Sequence, residues 1–283
     1  MMSRKPFSQV LKEASIDLRR EYDRLYFLFF LQRIPDSSGN SLTSREYCAS
    51  TFLQLPFRGT CVTLDDFDDY YGYHFEKAPS AFSIDTLVSF CEYSYNLAVY
   101  NQGINPTILS YGMAPLSQAV QFYVSQVNTV IANMVYMPNV QGCITDFVPK
   151  DQAAIAVAEI VDSNLSYKVI EYNHHSMKGD LERKKSILLA LADKLEPQRS
   201  KLNSVNSPLE SDLFYLLNTV NVRHNNSDPN GTKYVETVAK MKSKEIEKWY
   251  DDIYQMCLLA FMELDNMERK SRVKELKKSI SEQ

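Results

Sequence analysis

The sequence predicts a mainly α-helical fold, with a helical, aromatic-rich N-terminal region (1–148) packed with a C-terminal antiparallel helix bundle (149–283). Three observations predict it. Apolar residues recur at i, i+3, i+4 and i+7 in one segment after another. Residues that start and stop helices punctuate those segments. Only residues 143–148, CITDFV, alternate in the manner of a strand, and they read as a loop as readily.

In chain order, residues 7–32 place Phe7, Val10, Leu11, Ala14, Leu18, Tyr22, Leu25 and Phe29 on a common side. Ser8 is a candidate cap and Phe7 a candidate hydrophobic staple. The second half of that helix, LYFLFFL, is apolar nearly all round and is therefore expected to be enclosed by neighbours. Residues 33–41 read as a loop. Thr43 and Glu46 have the spacing of a capping box and open a short helix through Leu53. Asp65, Asp66, Asp68 and Asp69 offer carboxylates of the kind a hard cation takes. Their spacing and the lack of a sixth-position glycine do not match a calcium loop, whereas Thr63 can cap a helix whose first turn favours acids. No metal is expected there. Ser83 opens a helix with Leu87, Phe90, Cys91, Ser94, Leu97 and Ala98 on one face and Gly103 as its stop. Asn105-Pro106 and Ala114-Pro115 each resemble helix starts, and the second leads to Val120, Tyr123, Val127, Val130 and Ile131, with Pro138 as terminator.

Residues 151–162 carry Ala154, Val157, Ala158 and Val161 on a stripe, and a further helix runs from Leu165 through Val169 to Tyr172. His174 and His175 are adjacent, without the i, i+4 spacing of a helical metal pair, so no metal is expected there either. Gly179 breaks the chain and Asp180 caps a helix with Leu181, Leu188, Leu191 and Leu195 on its apolar side and LERKK on its exposed side, closed by Pro197. Ser207 before Pro208 starts the clearest helix, whose core face is Leu209, Leu213, Leu216, Leu217 and Val220. It runs out at Arg223, His224, Asn225 and Asn226, before the turn formers of 227–231. Ser243 caps the longest helix, with Ile246, Trp249, Tyr250, Ile253, Cys257, Phe261 and Leu264 on its stripe. Arg269, Lys270, Arg272, Lys274, Lys277 and Lys278 form a solvated basic end.

A net charge of −4 and a pI near 5.7 argue against a general affinity for nucleic acid or anionic membrane, so any RNA binding has to be local. The five cysteines are widely spaced and include no Cys-x-x-Cys pair, which suits reduced core thiols rather than zinc. No secretory leader and no membrane-length apolar run is apparent, so a soluble cytoplasmic protein is expected. Nucleotide-cradling and hydrolase motifs are missing, and no cofactor is expected. Between residues 78 and 148 the only charged side chains are Asp85, Glu92 and Asp146. That stretch is either interior to the fold or covered by a partner, and homo-oligomerisation or a protein partner through it is expected.

Arg223, His224 and the amides of Asn225 and Asn226 form the densest polar constellation in the chain. Such a group at the end of a buried helix can bind an anion or act on a phosphodiester, and it can equally cap carbonyls. The passage LFYLLNTVNVRHNN, preceded by the Lys178-Gly179-Asp180 turn and a lysine-rich helix, resembles the C-terminal helical domains of bacterial abortive-infection proteins, which are similar to HEPN domains. In that superfamily an arginine–asparagine segment, followed four to six residues later by a histidine, lies across a dimer cleft and cuts RNA. The resemblance implies that Arg223 stabilises phosphate charge, that a histidine moves a proton, and that Asn225 is the polar neighbour. In this chain His224 is adjacent to the arginine and no histidine follows it. Two functions are therefore expected as alternatives. One is a defence-associated, metal-independent endoribonuclease or nucleotide-binding effector with Arg223 and His224 as catalytic residues and Asn225 and Asn226 as binding residues. The other is a non-catalytic scaffold or regulatory subunit of a multiprotein defence complex.

Overall fold

The computed structural model describes residues 16–35, 39–103 and 114–282, and it is mainly α-helical. The chain divides into two compact units, Met1–Phe147 and Val148–Gln283.

In the first unit, helix α1 (Leu18–Tyr26) is capped by Asp17, whose carboxylate accepts from the Arg20 N–H at 3.1 Å. The expected cap Ser8 and staple Phe7 lie outside the described residues. The apolar run Phe27–Leu31 continues as a π-helical turn, closed by the Gln32 N–H donating to the Phe27 carbonyl. Residues 33–41 are not all loop, because Ile34–Pro35 (β1) pairs antiparallel with Ser41–Leu42 (β2). Helix α2 (Ser44–Ala49) has the expected capping box, with Thr43 Oγ1 accepting from the Glu46 N–H and the Glu46 carboxylate accepting from the Thr43 N–H. It stops at Ala49, and a 3₁₀ turn at Phe52–Gln54 follows. Thr63 caps α3 (Leu64–Tyr71), which ends on left-handed Gly72 at φ 74°.

Helices α4 (Ile84–Gly103) and α5 (Ala114–Asn133) pack against each other and fill the core of this unit with Leu87, Phe90, Cys91, Leu97, Leu116, Val120, Tyr123 and Val127. That position accounts for the uncharged inner faces of these helices, whereas Gln118, Gln121, Phe122, Ser125 and Asn128 of α5 are exposed and equally uncharged. The Asn105-Pro106 start lies outside the described residues. Rings meet at this core, with Tyr22 5.1 Å from Phe90 and Phe29 5.1 Å from Tyr123. The buried Tyr123 hydroxyl donates to Ser94 Oγ (2.6 Å), which donates to the Phe90 carbonyl (2.7 Å), so the polar ends are satisfied.

Pro138 does not terminate α5. The helix ends at Asn133, left-handed Val135 (φ 62°) turns the chain, and Pro138 lies inside strand β3 (Tyr136–Gln141). In a two-stranded sheet both strands are edges, so a proline that cannot donate is tolerated. Strand β4 (Ile144–Pro149) pairs with β3 across Gly142 (φ 62°), and CITDFV is therefore half of a hairpin.

In the second unit, Asp151 and Asp162 cap α6 (Gln152–Ala158) and α7 (Ser163–Glu171). Asp180 caps α8 (Leu181–Leu195). Pro197 sits in a 3₁₀ turn leading to α9 (Arg199–Val205), which escapes sequence reading because Leu202 is its only buried residue. Helix α10 (Ser207–Thr219) is capped by Asn206 rather than Ser207. The Asn206 side chain accepts from the Leu209 N–H, and Ser207 is already helical. A single-turn helix, α11 (Glu236–Ala239), precedes α12 (Ser243–Ser281). Lys242 occupies the cap position expected of Ser243, with the Glu245 carboxylate accepting from its N–H at 2.8 Å. The bundle core joins α8, α10 and α12 through Leu188, Leu191, Leu213, Leu217, Ile253 and Cys257.

The side of α8 expected to be exposed holds a buried ion. Lys184 is 6% exposed, and its Nζ donates to Glu247 Oε1 (2.9 Å) and Asp251 Oδ1 (2.7 Å) on α12, above the face of Tyr172. Tyr172 stacks on Tyr254 with centroids 4.0 Å apart and donates to the same Asp251 oxygen. A lysine among surface charges looks solvated in sequence; here its apolar stem packs on rings while acids from another helix meet its head.

Among the described residues no helix is long and apolar enough to cross a membrane. Cys48, Cys61, Cys91 and Cys257 are buried free thiols, and burial pushes Cys48 and Cys257 each up to about 12, so both stay protonated.

Candidate functional site

The polar constellation after α10 is shaped by how that helix ends. Val220 leaves helical geometry and Asn221 adopts φ 55°, a left-handed conformation asparagine tolerates better than most residues. The Arg223 N–H then closes on the Leu217 carbonyl at 3.0 Å. Arg223 and His224 thus stand in a bent loop four and five residues past the end of the helix, not in its last turn.

Asn226 is 1% exposed, and its amide is taken up by backbone. Its Oδ1 accepts from the Asn221 N–H (3.0 Å), and its Nδ2 donates to the carbonyls of Asn218 (3.1 Å) and Lys233 (2.8 Å). In return the Asn226 N–H donates to Asn221 Oδ1 at 2.7 Å. This is the arrangement by which an asparagine satisfies a buried loop. Asn225 is exposed. His224 is half-buried, with no side-chain hydrogen bond or ion pair among the described residues.

Arg223 belongs to a network that the sequence does not announce. Its guanidinium pairs with Glu196 in the turn after α8 and lies 5.2 Å from the centre of the Phe214 ring. Arg199 lies 4.1 Å from the same ring, donates to Glu196 (3.4 Å), and meets buried Glu210 at 2.7 Å through both Nε and Nη2. Asn203 adds a donor to Glu210 at 3.2 Å. Two guanidiniums therefore flank one ring and face two carboxylates. A cleft of about 410 Å³ beside them is lined by Arg199, Ser200, Asn203 and Glu210. Burial pushes the Glu196 carboxyl up, but its pairs with Arg223 and Arg199 outweigh this and hold it below the usual range. The Glu210 contact raises Arg199 further. One signal was available in sequence: Glu210 shares the face of Leu209, Leu213, Phe214 and Leu217, and a carboxylate on a core stripe demands a buried cation.

The other expected clusters are used internally. In the first unit Arg45 reaches across to Asp65 (2.6 Å) and Asp68 (2.5 Å), and the Tyr93 hydroxyl donates to Asp68 at 2.9 Å. This explains part of the acidic run as an anchor for α2 on α3. Burial raises the Asp68 carboxyl despite these partners. In the second unit His174 Nδ1 lies 2.7 Å from Ser176 Oγ, capping a 3₁₀ turn.

The carboxylates of the second unit set its behaviour in acid. Glu247, held down by the Gly179 N–H and by Lys184, and Glu196 both have folded values below their unfolded one. Their stabilisation is present above the unfolded glutamate value of about 4.3 and is lost as pH falls through the folded values. The melting temperature of this unit should therefore decline below about pH 4.5, and Glu247→Gln should flatten that decline in a pH series of melting curves.

Comparison of the chain with protein-family models, with curated proteins and with solved structures finds no match.

Proposed function

We propose that this chain is a non-catalytic binding subunit, a scaffold or regulatory component of a multiprotein assembly. The resemblance of residues in its second half to abortive-infection proteins is what supports an anti-phage defence complex as its setting. The observation that supports this reading is the charge balance at Arg223. A phosphate-binding site needs uncommitted positive charge, and here Arg199 and Arg223 are matched by Glu196 and Glu210. Asn226 is spent on its own loop, and Arg223 rests on an aromatic face that already stabilises it.

The competing reading is a HEPN-like ribonuclease or nucleotide-binding effector with Arg223 and His224 at its centre. It requires an incoming phosphate to displace Glu196, and the half-buried, unpaired His224 is the feature in its favour. The two separate in one experiment. The binding-subunit reading expects purified protein to leave RNA intact, and cellular toxicity, where present, to survive the Arg223→Ala/His224→Ala double substitution. RNA cleavage by the wild type that disappears in a folded double variant would overturn it. Arg223→Ala should itself cost only about 1 kcal/mol, because Glu196 is well exposed and the pair is screened by solvent. The variant will therefore be folded when assayed.

A further inference from the structure

Helix α12 changes its apolar face along its length. Up to Leu264 the buried residues Ile246, Tyr250, Ile253, Cys257 and Phe261 hold one side against the second unit's core. Val273 and Ile280 follow about 2.5 and 4.4 turns after Leu264, on the opposite side of the helix, and Leu276, about 3.3 turns on, stands a third of a turn round from Leu264, in line with buried Leu258. Val273, Leu276 and Ile280 are 50%, 59% and 62% exposed. Traced backwards at the same spacing, that outer side runs through Arg269, Asn266, half-buried Met262 and Leu259, which is 43% exposed. The positions 259, 262, 266, 269, 273, 276 and 280 alternate by three and four, the a/d seam of a coiled coil, over roughly 30 Å of helix. From Glu268 to Glu282 every residue of the helix is exposed, so the core of the unit leaves the second half of this seam uncovered.

We propose that this seam pairs with the same seam of a second copy of the chain, antiparallel, to form a two-fold dimer. The flanking charges carry the choice of occupant and of direction. Glu263 and Asp265 flank the first half of the seam, and Lys270 and Arg272 flank the second. Running antiparallel, Val273 faces Met262 of the second copy, Leu276 faces Leu259, and Asn266 and Arg269 meet at the centre. In that register Glu263 lies opposite Lys270 and Asp265 opposite Arg272, each twice by symmetry, so the flanking pairs in this central stretch are of opposite sign. A parallel pair matches Asp265 with Lys270 but sets Arg272 against Lys277, and it loses half of that complementarity. Glu263, Lys270 and Arg272 form no ion pair within the chain among the described residues and are available, whereas Asp265 already pairs with Arg269 and is shared between it and Arg272 of the second copy. The inference is independent of how the Arg223 site is used.

Sedimentation equilibrium of the full chain at micromolar concentration tests it. The wild type should be a dimer, and Leu276→Asp should be a monomer with an unchanged helical circular-dichroism spectrum, since Leu276 is 59% exposed and lies outside the unit's core. Lys270→Glu should also be monomeric, and adding Glu263→Lys should restore the dimer by inverting that pair while leaving the Asp265–Arg269 pair within the helix intact. A monomeric wild type overturns the proposal, and if that monomer cosediments with anionic vesicles the seam belongs to a lipid surface instead. A dimer that persists in Leu276→Asp, or charge inversions that fail to compensate, overturns it equally.

Discussion

Phe214→Ala should destabilise the second unit by about 3–5 kcal/mol, the largest effect expected of any single substitution discussed. The ring is 2% exposed, so truncation leaves a cavity in the α10 face of the bundle. It also removes the surface on which both guanidiniums rest, a contact worth roughly 0.5–1 kcal/mol for each cation at a partly exposed site. Arg199 and Arg223 would then be held only by Glu210 and Glu196. Phe214→Leu separates the two contributions, because it keeps most of the apolar volume and removes the aromatic face. It should cost about 1–2 kcal/mol. Denaturant melts followed by circular dichroism measure both. A Phe214→Leu variant as stable as the wild type would remove the cation–ring part of the account and leave the packing part intact.

Lys184→Met should cost the same unit about 2–3 kcal/mol, although methionine fits the space of the stem and is a better hydrophobe. The loss arises from what remains. Glu247 is 18% exposed on its side chain and would keep only the Gly179 N–H as partner, while Asp251 would keep the Tyr172 hydroxyl without a cation. Because Asp251 is half exposed, water takes up part of the loss, which keeps the figure below the full cost of breaking a buried pair. Combining Lys184→Met with Glu247→Gln and Asp251→Asn should recover much of the stability, since neutral amides need no counter-charge. If the triple variant is no more stable than Lys184→Met alone, stranded charge is not the cause and the packing of α8 on α12 is.

Legibility differed between the two halves of the problem. Helices opened by a side-chain cap, such as those begun by Thr43, Thr63 and Asp180, were readable because capping is a local effect, and the Asp180 helix also carries a full apolar stripe. The β3–β4 hairpin was misread in part because Pro138 carries the same sequence signal in an edge strand as at a helix end. Helix α9 was missed because a single buried leucine makes no stripe. Of the site, Arg223, His224, Asn225 and Asn226 were visible as a polar run, but their division of labour was not. Asn226 is a loop brace and Arg223 half of an ion pair only because Asn221 turns the chain back and brings the loop beside Glu196.

By itself, then, the sequence determined the mainly helical class, several of the caps and most of the apolar stripes, since each depends on residues within a turn or two of one another. The caps at Asn206 and Lys242 and the exposed Trp249 on its stripe did not follow it. Tertiary structure alone decided the fate of the charges. Lys184 became buried, Arg45 claimed two of the clustered aspartates, and Arg199 and Arg223 met Glu210 and Glu196 around Phe214. An ion's partner is chosen by distance through space, and in water a charged side chain has no local preference that announces where in the chain that partner will come from.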